Sequence, residues 1–204
     1  EGTAGYSEDI LVQPTEDSLW NAVGYANPGL EATIEGFREL SEQLGAERDG
    51  VFLMPQIGES TGERFAHCAR ELDALGAAID GIELNLSCPH ADKAGILIGS
   101  APESVSEIVG AARAATGKPL VVKLSAGVPD VVEVARAAAD AGADALSLVN
   151  TLGGPNPELS NGYGGLSGRP LFAVLVETLE KLLRELSVPV IATGGVRSAA
   201  DVRD

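Results

Sequence analysis

The chain has 204 residues, the size of one domain, and is 45% hydrophobic but only 4% aromatic, so Ala, Val, Leu and Ile must fill its core. Acidic residues outnumber basic ones 30 to 14, and the net charge of −16 argues against nucleic acid and anionic membrane surfaces as partners. No apolar run approaches the roughly 20 residues of a membrane-spanning helix, and the first ten residues have neither the basic nor the apolar region of a signal peptide.

In chain order, residues 9–13 allow one short strand, and residues 21–29 (NAVGYANPG) read as a loop before a helix. Five apolar, β-rich runs follow: 51–57 (VFLMPQI), 81–87 (GIELNLS), 120–125 (LVVKLS), 144–150 (DALSLVN) and 188–193 (VPVIAT). They are nearly continuous rather than alternating, as expected of strands covered on both faces. Helical patterns fall between them. Residues 62–75 place Phe65, Cys68, Ala69, Leu72 and Leu75 at helical spacing. Residues 129–141 start on Pro129 in the first turn and stop at Gly142. Residues 171–186 form a long apolar and charged helix, and residues 102–115 fit a helix less cleanly. Residues 153–168 (GGPNPELSNGYGGLSG) read as a long irregular loop of the lid or binding kind.

Alternating strand and helix predicts parallel βα units with right-handed crossovers. A closed (β/α)₈ TIM barrel and an open doubly wound sheet both satisfy this. No G-x-G-x-x-G follows the first strand, which weakens the dinucleotide fold. Nearly every strand ends in polar or glycine residues, the pattern of a barrel mouth. A barrel needs eight units and typically about 250 residues, so residues 1–204 are expected to be one partial barrel domain, lacking the first strands and the last.

Many carboxylates with only four lysines predict adaptation to concentrated salt, where screening is strong. Cys68 and Cys88 are too few for a disulfide framework and fit a reducing cytoplasm. With two histidines and two cysteines, a zinc site is not expected.

The richest string is residues 83–90, ELNLSCPH. A cysteine on a sharp loop after a strand could be a nucleophile or a base if nearby positive charge lowers its pKa, or a buried structural thiol. Asn85 can both donate and accept hydrogen bonds at the mouth. Lys123, inside an apolar strand, is costly unless it meets a negative group; the bland alternative is a lysine snorkelling out at the strand's edge. Asn150 and Thr151 offer an amide and a hydroxyl. Residues 164–168 (GGLSG) precede a helix whose N-terminus could face an anion. Gly194 and Gly195 would let a phosphate or a ring approach closely.

Taken together, NAVGYANPG (21–29), NLSCPH (85–90), Lys123, NT (150–151), GGLSG (164–168) and ATGGV (192–196) resemble the dihydroorotate dehydrogenase family of the class 1 type. Members with NLSCPH are archaeal-like, which with the acidity suggests a halophile. The resemblance implies an FMN-dependent TIM barrel that oxidises dihydroorotate to orotate in pyrimidine biosynthesis. Cys88 would be the base that takes the C5 proton. Asn85 would touch flavin and substrate. Lys123 would sit beside the pyrimidine end of the isoalloxazine, and Val149, Gly168, Gly194 and Gly195 would contact FMN through their backbones. Asn21, Ala22, Val23, Gly24 and Tyr25 would bind orotate together with Asn150 and Thr151. A partner iron–sulfur/FAD electron-transfer subunit, a homo-oligomer and a cytoplasmic location are also implied. Many class 1 members have Asn at the position of His90, and the family's second substrate lysine and its terminal Gly-Thr have no counterpart here. A dihydropyrimidine dehydrogenase-like reduction of uracil or thymine, and a chain that binds no flavin, are the competing readings.

Overall fold

The computed structural model describes residues 12–24, 26–87, 98–160 and 162–203. In chain order, β1 (Val12–Pro14) and β2 (Ser18–Asn21) lead into α1 (Leu30–Leu44). Then come β3 (Gln56–Ile57), α2 (Gly62–Asp73), β4 (Ile82–Asn85), α3 (Pro102–Ala115) and β5 (Leu120–Lys123). The chain continues with α4 (Val131–Asp140), β6 (Ala145–Leu148), β7 (Leu152–Pro155), β8 (Tyr163–Gly168), α5 (Leu171–Glu185) and β9 (Val190–Ala192).

The five apolar runs give the five strands of one parallel sheet, in the order β3-β4-β5-β6-β9. Every residue of β4 is buried, and so are Leu120–Val122 and Leu146–Leu148, which explains why these runs are mostly apolar without strict alternation. Helices α2, α3, α4 and α5 cover this sheet through Phe65, Leu72, Val109, Ala135 and Leu175, all at most 2% exposed. Thr61 and Asp130 cap α2 and α4 by accepting backbone N–H groups. Pro129 therefore precedes the cap of α4 instead of occupying its first turn. Only the end of the run 51–57 pairs as a strand. Pro55 has no N–H to give, although its carbonyl accepts from Glu83 N.

Among the described residues the parallel sheet does not close: β3 and β9 remain its two edges. The chain is therefore α/β with a parallel sheet, and the expected closure into a barrel is not observed. Residues 153–168 are not an irregular loop. They form most of an antiparallel hairpin of β7 and β8, to which β2 and β1 add in the order β1-β2-β8-β7. Correspondingly, residues 164–168 are strand, paired to β2 and β7, and do not present free amides at a helix start. Of the strand expected at 9–13, residues 12–13 belong to β1, and residues 9–11 lie outside the described ones.

At their amino ends the parallel strands are tied down by carboxylates. Asp80 accepts from Leu53 N at 2.8 Å and Arg48 Nη2 at 2.9 Å. Asp144 accepts from Leu120 N at 2.8 Å and Arg113 Nη1 at 2.9 Å, and Asp73 accepts from Thr116 Oγ1 at 2.5 Å. The Thr116 hydroxyl holds the Asp73 carboxyl below its ordinary pKa, and the Leu53 N–H, followed by Arg48, does the same for Asp80. No described helix is long and apolar enough to cross a membrane.

Candidate functional site

The carboxyl ends of the same strands carry amides and hydroxyls instead, with one lysine beside them. In register, Asn85 on β4 lies beside Lys123 on β5, and Lys123 beside Ser147 on β6, so the three share one face of the sheet. Glu83, two residues before Asn85, shares that face and is 8% exposed. Its carboxylate accepts from Gln56 Nε2 at 2.7 Å and from Ser147 Oγ at 2.9 Å.

From Glu83 a hydrogen-bonded chain runs across the strand ends. Asn85 Nδ2 donates to Gln56 Oε1 at 3.1 Å. Ser87 donates to Asn85 Oδ1 from both its N (3.2 Å) and its Oγ (2.7 Å). Asn150 Nδ2 donates to Ser87 Oγ at 2.7 Å, and Thr151 N to Asn150 Oδ1 at 2.8 Å. Among the described residues, no buried side-chain N or O lacks a partner. Residues separated by as much as 64 positions are thereby fixed side by side.

Four of these residues line a cavity of about 1110 Å³. Gln56, Asn85, Asn150 and Thr151 form one wall, and Asn21, Ala22 and Gly24 another. Asn21 is held by β2–β8 pairing and by donating from Nδ2 to Gly165 O at 3.4 Å. A side chain at Gly165 would collide with Thr151, so glycine here lets the small sheet approach the strand ends closely. Of the seven residues expected to bind substrate or its ring, the cavity thus gathers Asn21, Ala22, Gly24, Asn150 and Thr151, together with Asn85. Val23 is not among its lining residues. Cys88, His90 and Tyr25 lie outside the described residues.

The remaining expected positions form a second group beside the first. Lys123 is half-buried, and among the described residues its ammonium has no hydrogen-bond or ion-pair partner. Val149 N donates to Thr193 O at 2.6 Å. A Cβ at Gly194 would lie 2.9 Å from Val149 Cγ2, and one at Gly195 would lie 2.8 Å from Gly168 O and 2.7 Å from Phe172 N. Gly195, at φ +72°, is therefore required by the protein's own packing, whereas the sequence suggested a place kept open for a ligand. None of Lys123, Val149, Gly168, Gly194 and Gly195 lines the cavity. The Val149 N–H is thus already spent within the chain, and what fits an acceptor-rich, anion-forming group such as a flavin is Lys123, unpaired among the described residues and next to Asn85 in register.

Sequence reasoning missed Glu83, Gln56, Ser87 and Ser147. Glu83 gave a signal, a carboxylate inside a buried run, which must find partners. Cys68, at the far side of the cavity, is not a thiolate candidate. Burial pushes its thiol up, and the Glu59 carboxylate adds to the effect. No group of three or more potential metal ligands occurs among the described residues.

A parallel α/β sheet with an amide-lined cavity at the carboxyl ends of its strands defines the class: an α/β protein whose cavity lies where such folds bind their ligands. Residues 3–204 match the family model described as dihydroorotate dehydrogenase, and the chain belongs to that family. It is 40% identical over 195 residues to a Pelobacter propionicus protein named dihydroorotate dehydrogenase B (NAD(+)), catalytic subunit. Proteins of the same name from Shouchella clausii and Pyrococcus abyssi are 35% and 37% identical. These alignments cover 92%, 96% and 98% of this chain but 62%, 65% and 66% of the relatives, so the chain spans just under two thirds of their length.

Proposed function

We propose that this chain forms the substrate-binding part of an FMN-dependent oxidoreductase that converts dihydroorotate to orotate in pyrimidine biosynthesis. The observation that carries this reading is the set of Asn85, Asn150 and Thr151 on the cavity wall, linked behind it through the buried Ser87 hydroxyl. It offers several N–H donors to a planar ring rich in carbonyl oxygens, and family membership names the ring.

In this reading Asn21, the backbone of residues 22–25, Asn150 and Thr151 hold the pyrimidine, and Asn85 spans substrate and flavin. Cys88 follows Ser87 directly in sequence. Its Sγ, as thiolate, takes the proton from C5. FMN, when bound beside Lys123, Val149, Gly168, Gly194 and Gly195, supplies the acceptor for the hydride that leaves C6. Lys123 balances the negative charge gained there. Orotate is an anion in a protein of charge −16, so these local donors and Lys123 must oppose an unfavourable overall field.

The parallel sheet belongs, in this reading, to a (β/α)₈ barrel, and the 204 residues to a single domain of it. The relatives' designation as a catalytic subunit of an NAD(+) enzyme supports an electron-transfer partner, of iron–sulfur/FAD type, for the holoenzyme. The holoenzyme is a cytoplasmic homo-oligomer. Its acidic surface suits concentrated salt, so its melting temperature should rise between about 0.1 and 1 M KCl as screening shortens from roughly 10 to 3 Å; a flat or falling curve would remove this element.

The deciding experiment is anaerobic flavin reduction by dihydroorotate and by dihydrouracil. Reduction by dihydroorotate alone is expected, and reduction by dihydrouracil alone would overturn the reading. Cys88→Ala should retain FMN but slow the reduction about 10²–10⁴-fold, the usual share of general-base catalysis.

A further inference from the structure

Glu83 belongs to no role described so far, although it is a charged side chain 8% exposed, hydrogen-bonded to Gln56 of the cavity wall. We propose that Glu83 is a positioning residue which, through Gln56, fixes the amide of Asn85 so that it offers an N–H rather than a carbonyl to the ligand. This deepens the dihydroorotate reading and rests on it.

The argument follows the direction of each hydrogen bond. A carboxylate only accepts, and an amide has one accepting and one donating end. Glu83 Oε2 accepts from Gln56, so Gln56 turns Nε2 to Glu83 and Oε1 to Asn85. Gln56 Oε1 can only accept, so Asn85 turns Nδ2 to it. The other end is pinned by donors. Ser87 N–H faces Asn85 Oδ1, and Thr151 N–H faces Asn150 Oδ1. Between a fixed acceptor and fixed donors, each amide has one arrangement.

Each of Asn85 and Asn150 spends one of its two amide protons within the chain, on Gln56 and on Ser87 respectively. Both side chains line the cavity, and among the described residues the second proton of each has no acceptor and is available to a ligand. The wall therefore selects acceptor atoms, such as ring carbonyls, and disfavours a ligand with an amino group in their place. Without the carboxylate, Gln56 can rotate its amide, and Asn85 then loses the partner on which its orientation leans. Ser147, the second donor to Glu83, holds the carboxylate from β6 and prevents it from following Gln56 outward.

The test uses the FMN-loaded holoenzyme and reads equilibrium binding by calorimetry, not turnover. The ligands are orotate and an orotate analogue with one ring carbonyl replaced by an amino group. Glu83→Leu should weaken orotate binding about tenfold or more, as unpaired polar groups in a site do. It should also shrink the preference for orotate over the amino analogue. Glu83→Gln should restore both to within about threefold, because its Oε1 can still accept from Gln56 while Ser147 reverses to accept from its Nε2. A merely structural Glu83 would lower the melting temperature of Glu83→Leu and leave the affinity and preference of the folded protein unchanged; that result overturns the proposal. Should Glu83→Leu not fold, Gln56→Leu, an exposed position at the sheet's edge, decides. The same loss of affinity and of preference supports the proposal there, and unchanged values overturn it. If the unsubstituted enzyme binds no orotate, the functional reading itself has failed, a different outcome from either.

Discussion

The two ends of the parallel sheet are built from opposite chemistry. At the amino end, Asp73, Asp80 and Asp144 carry formal charge and spend it on backbone N–H groups and on Arg48 and Arg113. At the carboxyl end, the linked groups are neutral amides and hydroxyls, with Lys123 beside them and, among the described residues, the single buried carboxylate of Glu83 behind them. Charge-assisted bonds are the stronger ones and tie strand starts to the helices that precede them. Neutral amides bind more weakly but leave directed donors unspent. In the proposed reading, the amino end serves stability and the carboxyl end recognition.

If that division holds, substitutions at the two ends should separate binding from stability. The largest effect belongs to Asn85→Ala, which removes a donor from the cavity and breaks the chain between Gln56 and Ser87. A loss of about a hundredfold or more in kcat/KM for dihydroorotate is expected, since oxyanion-type donors contribute on that scale. Its melting temperature should move little, and a variant that fails to fold would break the comparison.

Arg113→Ala comes next. It deletes bonds to Asp144, Thr116 O and Lys118 O at 2.9, 2.5 and 2.8 Å. Chemical denaturation should show a cost of about 2–3 kcal/mol, the range for bonds involving a charged partner, with orotate affinity unchanged. A parallel fall in affinity would mean that the two ends are coupled.

A smaller effect is confined to acid. Asp73 and Asp80 have folded-state pKa values below the ordinary 3.8. A lowered carboxylate pKa contributes stability that is fully present above the ordinary value and disappears as the pH falls through the lowered one. Asp73→Asn should therefore flatten the decline of melting temperature below about pH 4 and leave orotate binding at neutral pH untouched. The smallest effect is expected for Leu19→Ala in the small antiparallel sheet. Leu19 is 37% exposed, and the change should stay near 0.5 kcal/mol, as for other surface positions; a cost like that of a core residue would place stability in the wrong sheet.

What could be read from the sequence divides along similar lines. The five parallel strands were legible because burial on both faces writes a nearly continuous apolar run without strict alternation, as in LVV of β5. Asn85, Asn150 and Thr151 were legible because polar residues ending such runs need a reason. The hairpin of β7 and β8 was not. LGGP and YGGLSG lack alternation, and their glycines, which sequence reads as loop, serve here as room for Thr151 and for Asn21. Glu83 and Gln56 escaped because their bond joins residues 27 apart across neighbouring strands, and strand register is not written locally.

The same small sheet has a consequence for how the molecule is made. β2 finds its partner β8 only across nearly the whole chain; the bond from Asn21 to Gly165 spans 144 positions. Contacts so distant in sequence form slowly, because the intervening loop must be closed before any of its pairings is rewarded. During synthesis the strands β3 to β6 can associate with their own neighbours as they emerge, whereas the wall bearing Asn21 must wait for residue 165. Binding competence should thus arrive late, after the sheet that supports it has already condensed, and a ribosome-bound chain halted before β8 would have strand ends but no cavity.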